Sequence, residues 1–205
     1  MRFYFVKSFN YDVHMFIFKN KYFFIIESIR DINLKNIKNS NKFCVIYRSK
    51  ASIEKKEQLM QFRKNCKTKN IDFYVSNNIK LARILKADGI YISAYNNNFR
   101  FGLLKNLNIK IIGSAHNIKE INLKKLQGCT SIIFSRLFKT SYKHKKGYLG
   151  VIKFNLLKRS RRENLIPLGG IRISNLNKLN TVKCNSVALS SEVIKKPIVF
   201  SRRCF

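Results

Sequence analysis

The chain has 205 residues, enough for one domain with a real core, and its 45% hydrophobic and 13% aromatic content excludes a disordered polypeptide. A net charge of +32, from 42 Lys+Arg against 10 Asp+Glu, would ordinarily point to a polyanion partner. The cations are spread along the whole chain, in a background rich in Lys, Asn, Ile and Phe, and no nucleic-acid motif occurs; weak, salt-sensitive sticking to polyanions is expected rather than specific nucleic-acid binding.

In chain order, the first β-rich run is FYFVKSF (3–9), read as the first strand. Residues 10–42 receive no element, and their Asn/Lys-rich end, NLKNIKNSNK (33–42), reads as a solvated connection. FCVIY (43–47) is the second strand, and the segment Ile53–Cys66, charged with periodic apolar positions, is the helix after it. IDFYV (71–75) precedes a helix over Asn78–Lys86, and GIYIS (89–93) is the fourth strand. IKIIG (109–113) leads to a helix over Asn117–Gln127, where Ile118, Ile121, Leu123 and Leu126 share helical spacing. TSIIFS (130–135) runs into a cationic loop and one short helix around Lys153–Lys158. LIPLG (165–169), a short helical stretch over Ser174–Leu179, and SVALS (186–190) complete the series.

Each run has the length and apolarity of a strand buried on both faces, and strands alternate with helices, which implies a parallel sheet. Eight strands predict an α/β fold, a single (β/α)8 TIM barrel spanning 1–205 with no linker composition to divide it. An open doubly wound sheet is the alternative; it loses support because no GxGxxG follows the first strand.

The five cysteines (Cys44, Cys66, Cys129, Cys184, Cys204) form no CxxC, and the three histidines are scattered, so free thiols in a reducing cytoplasm are expected and a zinc site is not. Charged residues interrupt the apolar N-terminus, no signal peptide is visible, and no run reaches the ~18 apolar residues of a membrane helix.

In such a barrel the chemistry sits at the C-terminal strand ends. Those ends carry Arg48-Ser49-Lys50, Ser76-Asn77-Asn78, Ser93 to Asn98, Gly113-Ser114-Ala115-His116, Ser135-Arg136 leading to Thr140 and Lys143, Gly169-Gly170, and Ser190-Ser191. The set holds cations, hydroxyls, amides and a glycine pair but no carboxylate. It suits an anion, above all a phosphate on backbone N–H groups at the last two strand ends. Asp88 reads as structural, fixing the turn into the fourth strand, His116 as a helix-start residue, and Cys129 as packing.

These residues resemble the thiamine phosphate synthase and TenI family. The resemblance rests on Ala87-Asp88-Gly89 before the fourth strand, Ser114-Ala115-His116 with Glu120, and the loop from Ser135 through Thr140 to Lys143. It rests also on Pro167-Leu168-Gly169-Gly170-Ile171 with Asn175, Val187-Ala188-Leu189-Ser190-Ser191, and Arg48-Ser49-Lys50, in family order over residues 43–192. It implies a TIM barrel enzyme of thiamine biosynthesis, a transferase joining a hydroxymethylpyrimidine diphosphate to a thiazole phosphate. By the same resemblance Arg48, Lys50 and Lys143 hold the diphosphate and Ser114 lies beside the reacting centre. Thr140, Gly169, Gly170 and Ser191 bind the thiazole phosphate. The implied partners are small phosphorylated pyrimidine and thiazole substrates and a second copy of the chain, in the cytoplasm.

The family's magnesium is held by two aspartates whose positions here are Asn77 and Asn96, and Arg136 replaces the proline of the sixth-strand loop. An amide oxygen is a poor stand-in for a carboxylate on Mg2+. The sequence therefore leaves three readings open: a synthase with weakened magnesium dependence, a TenI-like isomerase, or a non-catalytic binder of a phosphorylated thiamine precursor.

Overall fold

The computed structural model describes residues 19–37, 40–49, 54–107, 109–140 and 147–190. Its frame is eight strands: β1 (Lys21–Ile26), β2 (Phe43–Tyr47), β3 (Asp72–Ser76), β4 (Gly89–Ile92), β5 (Lys110–Ala115), β6 (Ser131–Ser135), β7 (Asn164–Leu168) and β8 (Ser186–Leu189). They run in the order β7-β6-β5-β4-β3-β2-β1-β8 with every paired neighbour parallel, and β7 and β8 approach each other across the remaining seam. The predicted barrel is therefore the observed one.

Helices α1 (Lys56–Thr68), α2 (Ile79–Ile84), α3 (Ile118–Leu126) and α4 (Gly150–Arg159) follow β2, β3, β5 and β6, and 3-10 segments over Phe99–Leu107 and Ile173–Thr181 take the places after β4 and β7. Asparagines start two of the helices: the Asn78 side chain accepts the Leu81 N–H and that of Asn117 accepts the Glu120 N–H, each at 2.9 Å.

Two expectations about the N-terminal part change. The first barrel strand is KYFFII (21–26), not 3–9, which lies outside the described residues. KYFFII reads as one apolar stretch because both of its faces are buried, and this hides the alternation that marks a half-exposed strand. Residues 33–42 are not simply solvated either: Leu34 and Ile37 are buried on the core, and short 3-10 turns at Leu34–Asn36 and Ser40–Lys42 carry the polar residues between.

Strand alternation sorts the core into two layers. Tyr22, Phe24, Val45, Phe73, Val75 and Ile132 belong to the large cluster between barrel and helices. Phe23, Ile25, Ile46, Tyr74, Tyr91, Ile112, Ile133 and Ile166 belong to a separate cluster that fills the barrel. At the N-terminal end the Lys21 ammonium pairs with Asp72, the Cys44 thiol donates to the same carboxylate at 3.7 Å, and the Asn164 side chain donates to Ser131 at 3.1 Å. These polar contacts close over the lower end of the apolar barrel filling, and the C-terminal strand ends form the upper rim.

Gly89 and Asp88 show why Ala87-Asp88-Gly89 precedes β4. A Cβ on Gly89 would sit 2.3 Å from the Tyr74 ring and 2.4 Å from the Lys110 carbonyl oxygen. Asp88 accepts the Phe73 N–H at 2.7 Å and pairs with Arg63 of α1 at 2.8 Å, fixing β3, β4 and α1 together.

Candidate active site

The alternation that fills the barrel with Ile46, Tyr74, Ile112 and Ile133 brings Arg48, Ser76, Ser114 and Ser135, two residues further on, to the inner rim. Ser114 is buried, and the Ser76 hydroxyl oxygen is shielded from solvent with no hydrogen-bond partner among the described residues. The Tyr91 phenol below them lies beside Ser114 and Arg48; burial pushes its pKa up, and these two neighbours oppose the shift. Arg48 also stands 3.7 Å from Glu27 at the end of β1. Arg48, Tyr91 and Ser114 thus form one group although they come from three strands.

A second group forms where the loop after β6 lies on the loop after β7. The Leu137 and Phe138 N–H groups donate to the Leu168 and Gly169 carbonyl oxygens, each at 2.9 Å. The Arg136 guanidinium donates to the Thr140 hydroxyl at 3.1 Å. Gly169 and Gly170 have φ values of 99° and 68°, and a Cβ on Gly170 would stand 2.5 Å from the Lys139 carbonyl oxygen. The Asn175 side chain donates to the Gly170 carbonyl at 2.8 Å, holding the turn from behind, while the Gly169 and Gly170 N–H groups have no acceptor among the described residues. Thr140, Gly169 and Gly170 are therefore brought together, with Arg136 as the link. Arg136, one of the strand-end cations of the sequence set and the residue standing where the resemblance expects proline, is bonded to Thr140, a contact that the sequence does not predict.

Beside the rim, a cavity of about 420 Å3 opens between Tyr95, His116, Ser135, Arg136 and Lys153. The Tyr95 and His116 rings lie 5.7 Å apart. The His116 N–H and its Nδ1 both meet the same Glu120 oxygen, at 2.7 and 3.0 Å, so His116 is held at the start of α3 as a helix-start residue would be.

Asn77 and Asn96 meet where the loops after β3 and β4 come together. Asn77, with φ 56°, accepts the Ser93 N–H on Oδ1 at 3.0 Å and donates from Nδ2 to the Ser93 hydroxyl at 3.0 Å. Asn96 donates from Nδ2 to the same Asn77 Oδ1 at 3.0 Å and accepts the Asn98 N–H on Oδ1 at 2.9 Å. Backbone donors fix the orientation of both amides. Lys50, Lys143 and Ser191 lie outside the described residues.

Residues 28–193 match the family described as thiamine monophosphate synthase. The chain belongs to that family. A thiamine-phosphate synthase of Persephonella marina is 28% identical over 152 residues, 73% of each chain. One from Prochlorococcus marinus subsp. pastoris is 30% identical over 140 residues, 67% of this chain but only 40% of that longer one. Among solved structures, thiamine phosphate pyrophosphorylase from Pyrococcus furiosus superposes with a TM-score of 0.69 at 16% identity, covering 91% of this chain and 94% of that one. The 3-keto-L-gulonate-6-phosphate decarboxylase of Vibrio cholerae gives 0.62 at 14% identity, covering 91% and 95%, a likeness of fold.

The family's magnesium does not fit the residues present. Asn77 Oδ1 already accepts two N–H donors and Asn96 Oδ1 one, and neither carries the negative charge that a hard dication draws from a carboxylate. Among the described residues no three of His, Cys, Asp and Glu converge to hold a metal, and no helix is long and apolar enough to cross a membrane.

Proposed function

We propose that the protein is a thiamine phosphate synthase-like transferase that couples hydroxymethylpyrimidine diphosphate to thiazole phosphate, with cations of the chain taking over from the metal. The observation that carries this reading is the rim itself: a left-handed turn at Gly169-Gly170 backed by Arg136, which holds Thr140, and a second group of Arg48, Tyr91 and Ser114 at the same C-terminal strand ends.

In this reading Thr140 and the Gly169 and Gly170 N–H groups, with Ser191, take the thiazole phosphate, and Arg136 orients Thr140 while adding positive charge. Arg48, Lys50 and Lys143 take the diphosphate. The bond between the pyrimidine methylene carbon and the diphosphate oxygen breaks, and its electron pair leaves on the diphosphate. Arginine and lysine neutralise that developing charge through charge-assisted hydrogen bonds. The thiazole nitrogen gives its lone pair to the methylene carbon and closes the new C–N bond, so diphosphate and thiamine phosphate are the products. Ser114 and Tyr91 lie beside the reacting carbon, where a hydroxyl dipole steadies the short-lived cation.

The full chain 1–205 acts as one barrel domain on these small phosphorylated partners, as a cytoplasmic, self-associating enzyme without specific nucleic-acid or membrane partners. A second reading is favoured by the amide pair at Asn77 and Asn96: a TenI-like isomerase or a binder of a phosphorylated thiamine precursor has less need of a metal-held diphosphate. Mixing the protein with both substrates, with and without Mg2+, and quantifying thiamine phosphate tests the proposal. Product in both conditions supports it, product only with Mg2+ refutes the replacement of metal by cations, and no product in either moves the assignment to the second reading.

A further inference from the structure

Beneath the rim, α3 buries a lysine that the reaction does not use. Lys124 is fully buried. Its Nζ donates to the Asn96 carbonyl oxygen at 2.7 Å and to Gln127 Oε1 at 2.8 Å. Gln127, also fully buried, donates from Nε2 to the carbonyl oxygens of Asn96 and Asn98 at 2.8 and 3.0 Å. The stem of Lys124 lies on Gly113 of β5, where a Cβ would stand 2.9 Å from Lys124 Cγ. A glycine in the middle of a strand is otherwise a weakness, and here it makes the room that the lysine occupies.

A buried ammonium with no carboxylate contact among the described residues is a costly choice, because desolvation favours its neutral form. Burial does lower the Lys124 pKa, with Cys129 and Glu120 opposing the shift. Glu120 is itself engaged by His116 and Asn117. An apolar side chain of the same length would fill the space without that cost. What the lysine adds is a strong donor to the loop after β4 and, in its protonated form, a positive charge behind it.

We propose that Lys124 and Gln127 are positioning residues for the loop 93–98: they hold Asn96 at the rim from below and set a buried positive charge behind the site where the diphosphate binds. This rests on the reading of the rim as the reaction site. Asn96 is then tied at every polar side: its carbonyl to Lys124 and Gln127, its Nδ2 to Asn77, its Oδ1 to Asn98. The charge acts through a low-dielectric interior, so it is screened less than a surface lysine.

Amide hydrogen exchange and calorimetry with inorganic diphosphate test this on the full chain. Lys124→Met is expected to raise exchange within residues 93–98 about tenfold and to weaken diphosphate binding about tenfold, equivalent to ~1.4 kcal/mol. Gln127→Met, which keeps the charge, is expected to raise exchange in the same segment with diphosphate affinity nearly unchanged. If Lys124→Met raises exchange throughout the chain, the Gln127→Met result carries the test of loop holding. Unchanged exchange at 93–98 in both variants overturns the positioning role, and unchanged diphosphate affinity in a folded Lys124→Met protein overturns the electrostatic part. A wild-type chain that binds no diphosphate defeats the reading of the rim as the reaction site, while the exchange data still decide whether Lys124 and Gln127 hold the loop.

Discussion

The side-chain amide of Asn96 donates to the side-chain oxygen of Asn77 at 3.0 Å, joining the ends of β3 and β4 by a neutral hydrogen bond at two positions where the resemblance to the family leads one to expect metal-binding carboxylates. The bond also fills the acceptor that a cation would need. Changing both residues to aspartate removes this donor and sets two negative charges side by side, a pair that repels unless a cation lies between them. Asn77→Asp/Asn96→Asp is therefore expected to bind Mg2+ in calorimetric titration and to acquire a magnesium-dependent rate. An identical metal response in the variant and the parent would count against the cation-replacement argument.

Arg136 reaches Thr140 at 3.1 Å and its stem packs under Gly169. Arg136→Met keeps much of that stem while removing the charge and the donor. A charge-assisted hydrogen bond to a phosphate contributes about 1.5–3 kcal/mol, so thiazole phosphate should bind roughly 10- to 100-fold more weakly, with little change in the melting temperature. Equal affinity in the two proteins would remove Arg136 from the phosphate site.

Gly170 combines φ 68° with a backbone neighbour 2.5 Å from any added Cβ. Gly170→Ala must push the Phe138–Lys139 backbone away, and a strained position of this kind costs about 1–3 kcal/mol. We expect lower stability in urea unfolding together with weaker phosphate binding. Ala at Gly147, whose added Cβ meets nothing within 4 Å, should leave the phosphate site intact and serves as the control for φ alone.

The thiols of Cys66 and Cys129 are pushed up to about 12, first by burial, with Arg63 lowering and Asp88 raising the first and Lys124 lowering the second. A folded pKa above the unfolded one means that this contribution to stability is whole below the unfolded value near 9 and is lost as pH rises toward 12. Unfolding free energy should therefore fall by about 1 kcal/mol per thiol between pH ~8 and ~10, and by less in Cys66→Ala and Cys129→Ala relative to their own neutral-pH values. A flat pH response across that window would contradict it.

Much of the barrel was readable from the sequence because seven of its strands keep a short apolar run bounded by turn residues. The strand KYFFII was missed because the aromatic run at 3–9 offered the same signal earlier in the chain. Thr140, Gly169 and Gly170 could be anticipated from the order of their motifs, since strand ends in a barrel share one face. The Arg136–Thr140 bond and the grouping of Arg48, Tyr91 and Ser114 could not, because they depend on rotamers and on strands far apart in sequence. Asn77 and Asn96 were visible as departures from the family pattern, but their mutual bond depends on the left-handed backbone at Asn77. Lys124 was hidden by its surroundings: in a chain with 42 Lys+Arg, one more lysine on an amphipathic helix reads as a solvated charge.

The pairing of β1 with β8 joins Lys21 to Ser186 and Phe24 to Leu189. During synthesis β1 can find β2 early, but its other edge waits until β8, the last strand of the barrel, has left the ribosome. Until then YFFII presents an open row of backbone donors and acceptors flanked by aromatic side chains, the kind of edge to which other chains add. The most aggregation-prone species of this protein should thus be a nascent chain stalled before β8, and a barrel cut short there should need a chaperone that the finished barrel can do without.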